Sequence, residues 1–83
     1  MVEQINIKPD VMLDLGNKGC GELAISLMLK MKTVEGGRVL EVRALDVGAQ
    51  NDIPAWCRMT KNELVAGPCG EGSAFYYIKK KIQ

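Results

Sequence analysis

The spacing of hydrophobic residues along this chain changes several times, and each change predicts a new element. Val11–Leu15 is a short apolar run that ends at a glycine-bearing turn, as a buried strand does. From Gly21 to Thr33 the apolar residues recur at helical spacing, with a polar stripe opposite them. Arg38–Leu45 then alternates apolar with charged residues. The first half of the chain is therefore predicted to be strand, helix and strand.

The second half of the chain predicts another helix and a closing hairpin. Asp46 is a suitable N-cap for the helix, and Asn62 is a suitable end signal. Its core face would be Ala49, Ile53, Trp56 and Cys57. Glu63–Ala66 and Ser73–Lys79 are predicted strands, joined by the turn-rich segment Gly67–Gly72.

The predicted order of elements is β-α-β-α-β-β. Right-handed crossovers between parallel strands place both helices on the same face of the sheet. We therefore predict an α/β two-layer sandwich with a mixed four-stranded sheet, in which three strands are parallel and the fourth is antiparallel. A chain of 83 residues is expected to form a single domain over 1–83, with 1–10 and 80–83 as frayed tails.

The composition excludes several classes of partner. The chain is 47% hydrophobic and 25% charged, with a formal net charge of +1, which gives no electrostatic basis for direct binding to nucleic acid or membrane. No apolar run approaches the length of a membrane span, and the first ten residues lack the pattern of a signal peptide. We expect a cytoplasmic protein.

The chain has three cysteines and no histidine. A disulfide framework, a metal site and a Cys–His catalytic pair are therefore not expected. In a reducing compartment the cysteines are free thiols. Thiol chemistry needs no histidine base if the pKa of the thiol is itself lowered.

Cys20 lies where the first predicted strand leads into the first predicted helix. Unpaired backbone N–H groups and the helix dipole stabilise an anion there and lower the pKa of a thiol. Lys18 would add positive charge, Glu22 would oppose the thiolate, and Gly19 and Gly21 would leave the sulfur sterically open. A buried cysteine at a helix cap is the alternative, and these residues alone leave both interpretations open.

Four segments together resemble the TusA/SirA-like sulfur carriers. Asp46–Arg58, with the sequence DVGAQNDIPAWCR, is the strongest, because an aspartate-led turn followed by Asp-Ile-Pro, an aromatic residue and a cysteine is characteristic of that family. Glu63–Val65, Phe75–Lys79 and Leu13–Leu15, followed by Cys20, are similar to it as well. The family fold is a β-α-β-α-β-β sandwich, in agreement with the predicted order.

The resemblance implies sulfur relay through Cys20. A persulfide would be received from a donor protein, either a desulfurase or a rhodanese-like protein, and passed to an acceptor protein. The expected carrier is a monomer that needs no metal or organic cofactor. The family motif is Cys-Pro-x-Pro, whereas this chain has Cys20-Gly21-Glu22-Leu23, without either proline. The alternative is therefore a regulatory or interaction module on the same fold that has lost sulfur transfer.

The other two cysteines are interpreted separately. Cys57 falls on the core face of the second predicted helix, which favours a buried structural thiol. Cys69 falls in the glycine-rich segment of the hairpin, where we expect it to be exposed. It is a possible second thiol for sulfur transfer, and its presence by chance is the alternative.

Overall fold

The computed structural model describes residues 8–82, and of Cys20 it describes only the backbone. Four strands and two helices follow one another along the chain. They are β1 (Val11–Gly16), α1 (Cys20–Met31), β2 (Val39–Ala44), α2 (Ala49–Thr60), β3 (Glu63–Cys69) and β4 (Phe75–Lys79), with a short 3₁₀ turn at Glu71–Ser73 between β3 and β4. This order confirms the β-α-β-α-β-β prediction.

The strands form one mixed sheet in the order β1-β2-β4-β3. β1 pairs in parallel with β2, whereas β4 is antiparallel to both β2 and β3. β1, β2 and β3 therefore point in the same direction, as predicted. One row across the sheet joins Asp14, Arg43, Phe75 and Cys69, so β1 and β3 end at the same end of the sheet.

The core lies between the sheet and the two helices. Alternate residues of β2 and β4 are buried there because successive side chains of a strand point to opposite faces. The buried core cluster is Leu15, Leu23, Leu27, Met31, Val34, Leu40, Val42, Ala44, Ala49, Ile53, Cys57, Tyr76 and Ile78. Three residues of the predicted core face of α2 are in this cluster, and Trp56 packs against it partly buried.

The first helix differs from its prediction at both ends. It begins at Cys20 and ends at Met31, two residues before Thr33. The hydroxyl of Thr33 donates to the carbonyl of Lys30 at 2.7 Å, and its backbone N–H donates to the same carbonyl. These bonds tighten the chain into a turn, so Thr33 closes the helix rather than extending it.

Asp46 is not the N-cap of α2, contrary to the prediction. Gly48 holds that position, and the Asp46 carboxylate accepts a hydrogen bond from the Gly48 N–H at 2.9 Å. Asp46 therefore braces the turn that precedes the helix. At the other end Lys61 adopts a left-handed conformation directly before Asn62, which ends the helix.

The hairpin differs most from its prediction, because β3 continues to Cys69 and β4 begins at Phe75. Two register shifts in the β3–β4 ladder accommodate the additional residues. Gly67 lies within the second shift with φ of 121°, and a β-carbon there would be 2.6 Å from the Phe75 carbonyl oxygen. Glycine is therefore required for β3 to stay paired through this segment.

The segments predicted to be frayed tails, 1–10 and 80–83, include residues that hydrogen-bond to the rest of the fold. The Asp10 carboxylate accepts the Val39 N–H at 2.9 Å, and this bond together with the Arg38 guanidinium lowers the pKa of Asp10. The Lys80 N–H donates to the Arg38 carbonyl, and the Lys81 N–H donates to the Asn62 side chain, both at 2.9 Å. Residues 1–7 and 83 lie outside the described residues.

Candidate functional site

The loop between β1 and α1 is held from two sides. The Lys18 N–H donates to the Leu15 carbonyl at 3.0 Å, which closes a turn directly after β1. The Leu45 N–H donates to the Gly16 carbonyl at 2.7 Å, which ties the same loop to the end of β2. The chain therefore enters α1 along a path fixed by the ends of two parallel strands.

Cys20 is the first residue of α1. Gly19 occupies the N-cap in an extended conformation, and among the described residues no side chain caps this helix. The Leu23 N–H donates to the Gly19 carbonyl at 2.7 Å, which makes the first bond of the helix. The preceding amides have no partner within the helix, so the backbone of Cys20 lies in the positive field of the helix N-terminus.

The residues on either side of Cys20 are exposed or half-buried. Lys18, Gly21 and Glu22 are exposed, and Gly19 is half-buried. A β-carbon built on either glycine would meet no described atom within 4 Å. An open depression of about 480 Å³ lies beside the loop and is lined by Asp14, Leu15, Gly16, Asn17, Lys18 and Glu22. Lys18, Gly19, Gly21 and Glu22 thus lie next to the backbone of Cys20 at one end of the sheet.

Asp14 belongs to this region, although the sequence did not indicate it. Its carboxylate accepts the Gly16 N–H at 3.0 Å and forms an ion pair with Arg43 at 3.0 Å. The Gly16 bond and the Arg43 guanidinium, with a smaller contribution from Lys18, lower the pKa of Asp14. The charge of Lys18 is therefore shared with Asp14 and is not available to Cys20 alone.

Cys57 and Cys69 both lie in surroundings that disfavour a thiolate. Cys57 is 2% exposed, and burial raises its pKa to about 11. Cys69 was predicted in an exposed loop, and this prediction is wrong, because Cys69 is the half-buried last residue of β3. Its sulfur lies 3.5 Å from the Phe75 carbonyl, and burial, with the nearby Glu41 charge, raises the pKa of its thiol.

The strand order separates Cys69 from the β1–α1 loop. β1 and β3 are the two edge strands, with β2 and β4 between them. Three spacings of about 4.8 Å amount to about 14 Å, well beyond the Cα separation of about 7 Å that a disulfide permits. A resting bond between Cys20 and Cys69 is therefore not expected.

We predict that iodoacetamide at pH 8 leaves Cys57 of the folded chain largely unmodified and modifies Cys69 more slowly than the same cysteine in the unfolded chain. A thiol with a pKa near 11 is ionised in only about one molecule in a thousand at this pH, and only the thiolate reacts. Peptide mapping after timed quenching measures each rate, and the chain unfolded in guanidinium is the control, in which all three cysteines should react. Rapid modification of Cys57 in the folded chain would contradict the burial described above.

Comparison with known proteins gives a consistent family. A family model described as Sulfurtransferase TusA matches residues 11–80. The chain is 36% identical over 76 residues to the sulfur carrier protein TusA of Pseudomonas syringae pv. syringae. The 76 residues are 92% of this chain and 90% of the relative. It is 32% identical over 73 residues to the protein of the same name from Pseudomonas putida. These residues are 88% of this chain and 91% of that relative.

Neither helix within residues 8–82 has the length and apolar character needed to cross a bilayer. The family match extends from the start of β1 to the residue after β4, so it covers every element of the sandwich. The chain therefore belongs to the TusA family of sulfurtransferases.

Proposed function

We propose that this chain carries sulfur as a persulfide on Cys20, within a single sulfur-carrier domain of residues 1–83 that acts in the cytoplasm. The observation that supports this proposal best is the backbone position of Cys20. It is the first residue of α1, directly after the loop from β1, in a member of a sulfurtransferase family. The thiolate, and the persulfide anion that replaces it, are both anions that a helix N-terminus stabilises.

The proposed transfer needs no metal, oxidant or organic cofactor. The Cys20 thiolate attacks the terminal sulfur of a persulfide on the donor protein, a desulfurase or a rhodanese-like protein. A new S–S bond forms on Cys20 while the S–S bond of the donor breaks, and the donor keeps the electron pair as a thiolate. The same exchange in the other direction passes the sulfur to an acceptor protein.

The residues around Cys20 have distinct proposed roles. Lys18 stabilises the sulfur anion, although it does so less than an unshared lysine would, because Asp14 also attracts it. Glu22 opposes the anion and favours release of the sulfur. Gly19 and Gly21 keep the approach open, since side chains are absent where a partner thiol must reach the sulfur.

A second candidate is an interaction module that has lost sulfur transfer. The observation that favours it is the site itself, where two carboxylates line the depression beside Cys20 and both motif prolines are missing. Carboxylates oppose formation of a thiolate. The two candidates differ in one measurable property, because an interaction module takes up no sulfur.

Incubation with a cysteine desulfurase and free cysteine tests the proposed function. We expect the intact mass to rise by about 32 Da, the mass of one sulfur atom, and to return to its starting value with a reductant. Trypsin places the three cysteines in separate peptides, 19–30, 44–58 and 62–79, so the added sulfur can be assigned directly. Addition to 19–30 supports the carrier, whereas an unchanged mass with a desulfurase that loads another family member favours the interaction module.

A further inference from the structure

Charge is distributed unevenly between the two ends of this molecule. Both helices run antiparallel to β1, β2 and β3, so their C-terminal ends lie at the end of the sheet opposite Cys20, where β4 also ends. Nine basic residues are found at that end, namely Lys8, Lys30, Lys32, Arg38, Arg58, Lys61, Lys79, Lys80 and Lys81, against the acidic residues Asp10, Glu35 and Glu63. A chain with a net charge of only +1 is thus strongly basic at one end.

An apolar groove lies at this basic end, between the last turns of the helices and the segment after β4. It measures about 250 Å³ and is lined by Met28, Met31, Lys32, Trp56, Thr60, Asn62, Lys80 and Lys81. We call this set the basic-end groove. Met28 is 46% exposed, and Trp56 is partly buried. An apolar surface is therefore accessible there.

Hydrogen bonds hold the rim of the basic-end groove in place. The Asn62 side chain donates to the Thr60 hydroxyl at 2.9 Å and accepts the Lys81 N–H at 2.9 Å. The Thr60 hydroxyl in turn donates to the Trp56 carbonyl at 2.8 Å. One connected set of bonds thus joins the end of α2 to the segment after β4, so the groove is a formed feature of the fold.

Among the described residues, no ion pair neutralises the lysines of the groove. Within residues 8–82 the ion pairs are Arg38 with Asp10 and with Glu35, and Arg43 with Asp14, so none of Lys32, Lys80 and Lys81 is paired. The C-terminal ends of the two helices contribute about half a negative charge each. These two ends offset about one of the cations, and most of the positive charge is left to attract a partner.

We propose that the basic-end groove binds an acidic segment of a partner protein, which inserts an apolar side chain against Met28 and Trp56. Charge complementarity selects the acidic segment, since unpaired lysines border the groove on two sides. Two methionines, Met28 and Met31, line the floor beside Trp56, and this favours an aliphatic side chain of a protein over a nucleobase, which would stack on an aromatic surface. Binding at this end leaves Cys20 free, so the same molecule can be held by one protein while its thiol faces another.

Fluorescence of Trp56, the single tryptophan of the chain, tests this proposal. The probe is a short blocked peptide without tryptophan, in which glutamates flank two leucines one helical turn apart. We expect a saturable change in emission that weakens as salt is added. Lys81→Glu and Met28→Ser should each weaken binding by about fivefold or more, whereas Lys8→Glu, an equal charge change outside the groove, should change it by less than about twofold.

Three control ligands decide between occupants. A peptide with serines in place of the leucines and one with lysines in place of the glutamates should both fail to bind. The third ligand is a single-stranded oligouridylate, the probe for a phosphate backbone. The absence of saturable binding by the acidic peptide, equal binding by the Lys81→Glu and Met28→Ser variants, or binding of the oligouridylate in place of the peptide would each overturn the proposal. None of these measurements involves sulfur, so their outcome is independent of persulfide loading.

Discussion

Replacing Cys20 with serine is expected to abolish persulfide loading while the variant remains folded. A hydroxyl has neither the nucleophilicity of a thiolate nor the ability to hold a transferable sulfur atom at neutral pH. The remaining cysteines are not expected to take over, because Cys57 is buried with a pKa near 11 and the pKa of the half-buried Cys69 is also raised. Intact mass after incubation with a cysteine desulfurase and cysteine measures the effect.

The matched control for this prediction is Cys69→Ser. Cys69 lies on the opposite edge strand, about 14 Å away across the sheet, and we expect its serine variant to gain one sulfur at the rate of the parent chain. Thermal unfolding of both variants shows whether the fold is retained. Loading of the Cys20→Ser chain, or loss of loading in the Cys69→Ser chain alone, would show that Cys20 is not the carrier thiol.

The fold could be predicted from the sequence because its elements have distinct periodicities. The helical spacing of Ala49, Ile53 and Cys57 is the pattern that buries one side of α2, and all three residues are buried. The end of β3 could not be predicted in this way. Gly67-Pro68-Cys69 has the composition of a turn, and it continues β3 because β4 lies close enough for Cys69 to pair with Phe75. That contact is a property of the tertiary structure.

The candidate site was predictable where it depends on neighbours along the chain. The glycine-bearing turn before Cys20 indicates a strand-to-helix junction, and the structure has one there. Asp14 and Arg43 were not predictable, because their ion pair depends on the register between β1 and β2. In the sequence each is one charged residue of an alternating strand. Only the parallel pairing brings them together beneath the loop that leads to Cys20.

Restoring the two missing prolines is expected to have little effect on stability at Gly21 and a large effect at Leu23. Gly21 is the second residue of α1, it is exposed, and a β-carbon there would meet no described atom within 4 Å. Its N–H has no partner within the helix, so proline removes no helical bond. Gly21→Pro lowers the entropy of the unfolded chain by the equivalent of about 0.4–1 kcal/mol, but it also disfavours the helical conformation of Cys20. We expect stability to change by less than about 1 kcal/mol.

Leu23→Pro is expected to destabilise the chain severely. Leu23 is 1% exposed in the core, and its N–H donates to the Gly19 carbonyl at 2.7 Å. Proline loses that bond, clashes with the carbonyl that accepts it and leaves part of the leucine volume empty. We expect the free energy of unfolding to fall by about 4 kcal/mol or more. A small domain has a free energy of unfolding near the lower end of the usual range, about 5 kcal/mol, so most of it would be lost. Urea unfolding followed by circular dichroism measures both proline variants.

Leu23→Ala separates the two causes, because it removes the side chain and keeps the N–H. It should cost about 2–5 kcal/mol by cavity formation alone, and Leu23→Pro should cost more than that. A smaller loss for proline than for alanine would show that the Gly19 bond contributes nothing. If Leu23→Pro costs more stability than Leu23→Ala, then Leu23 is a core residue at a position where proline does not fit. Restoring both prolines of the family motif would then unfold the helix that positions Cys20. Loading by Gly21→Pro then tests the effect of the motif on transfer without that loss.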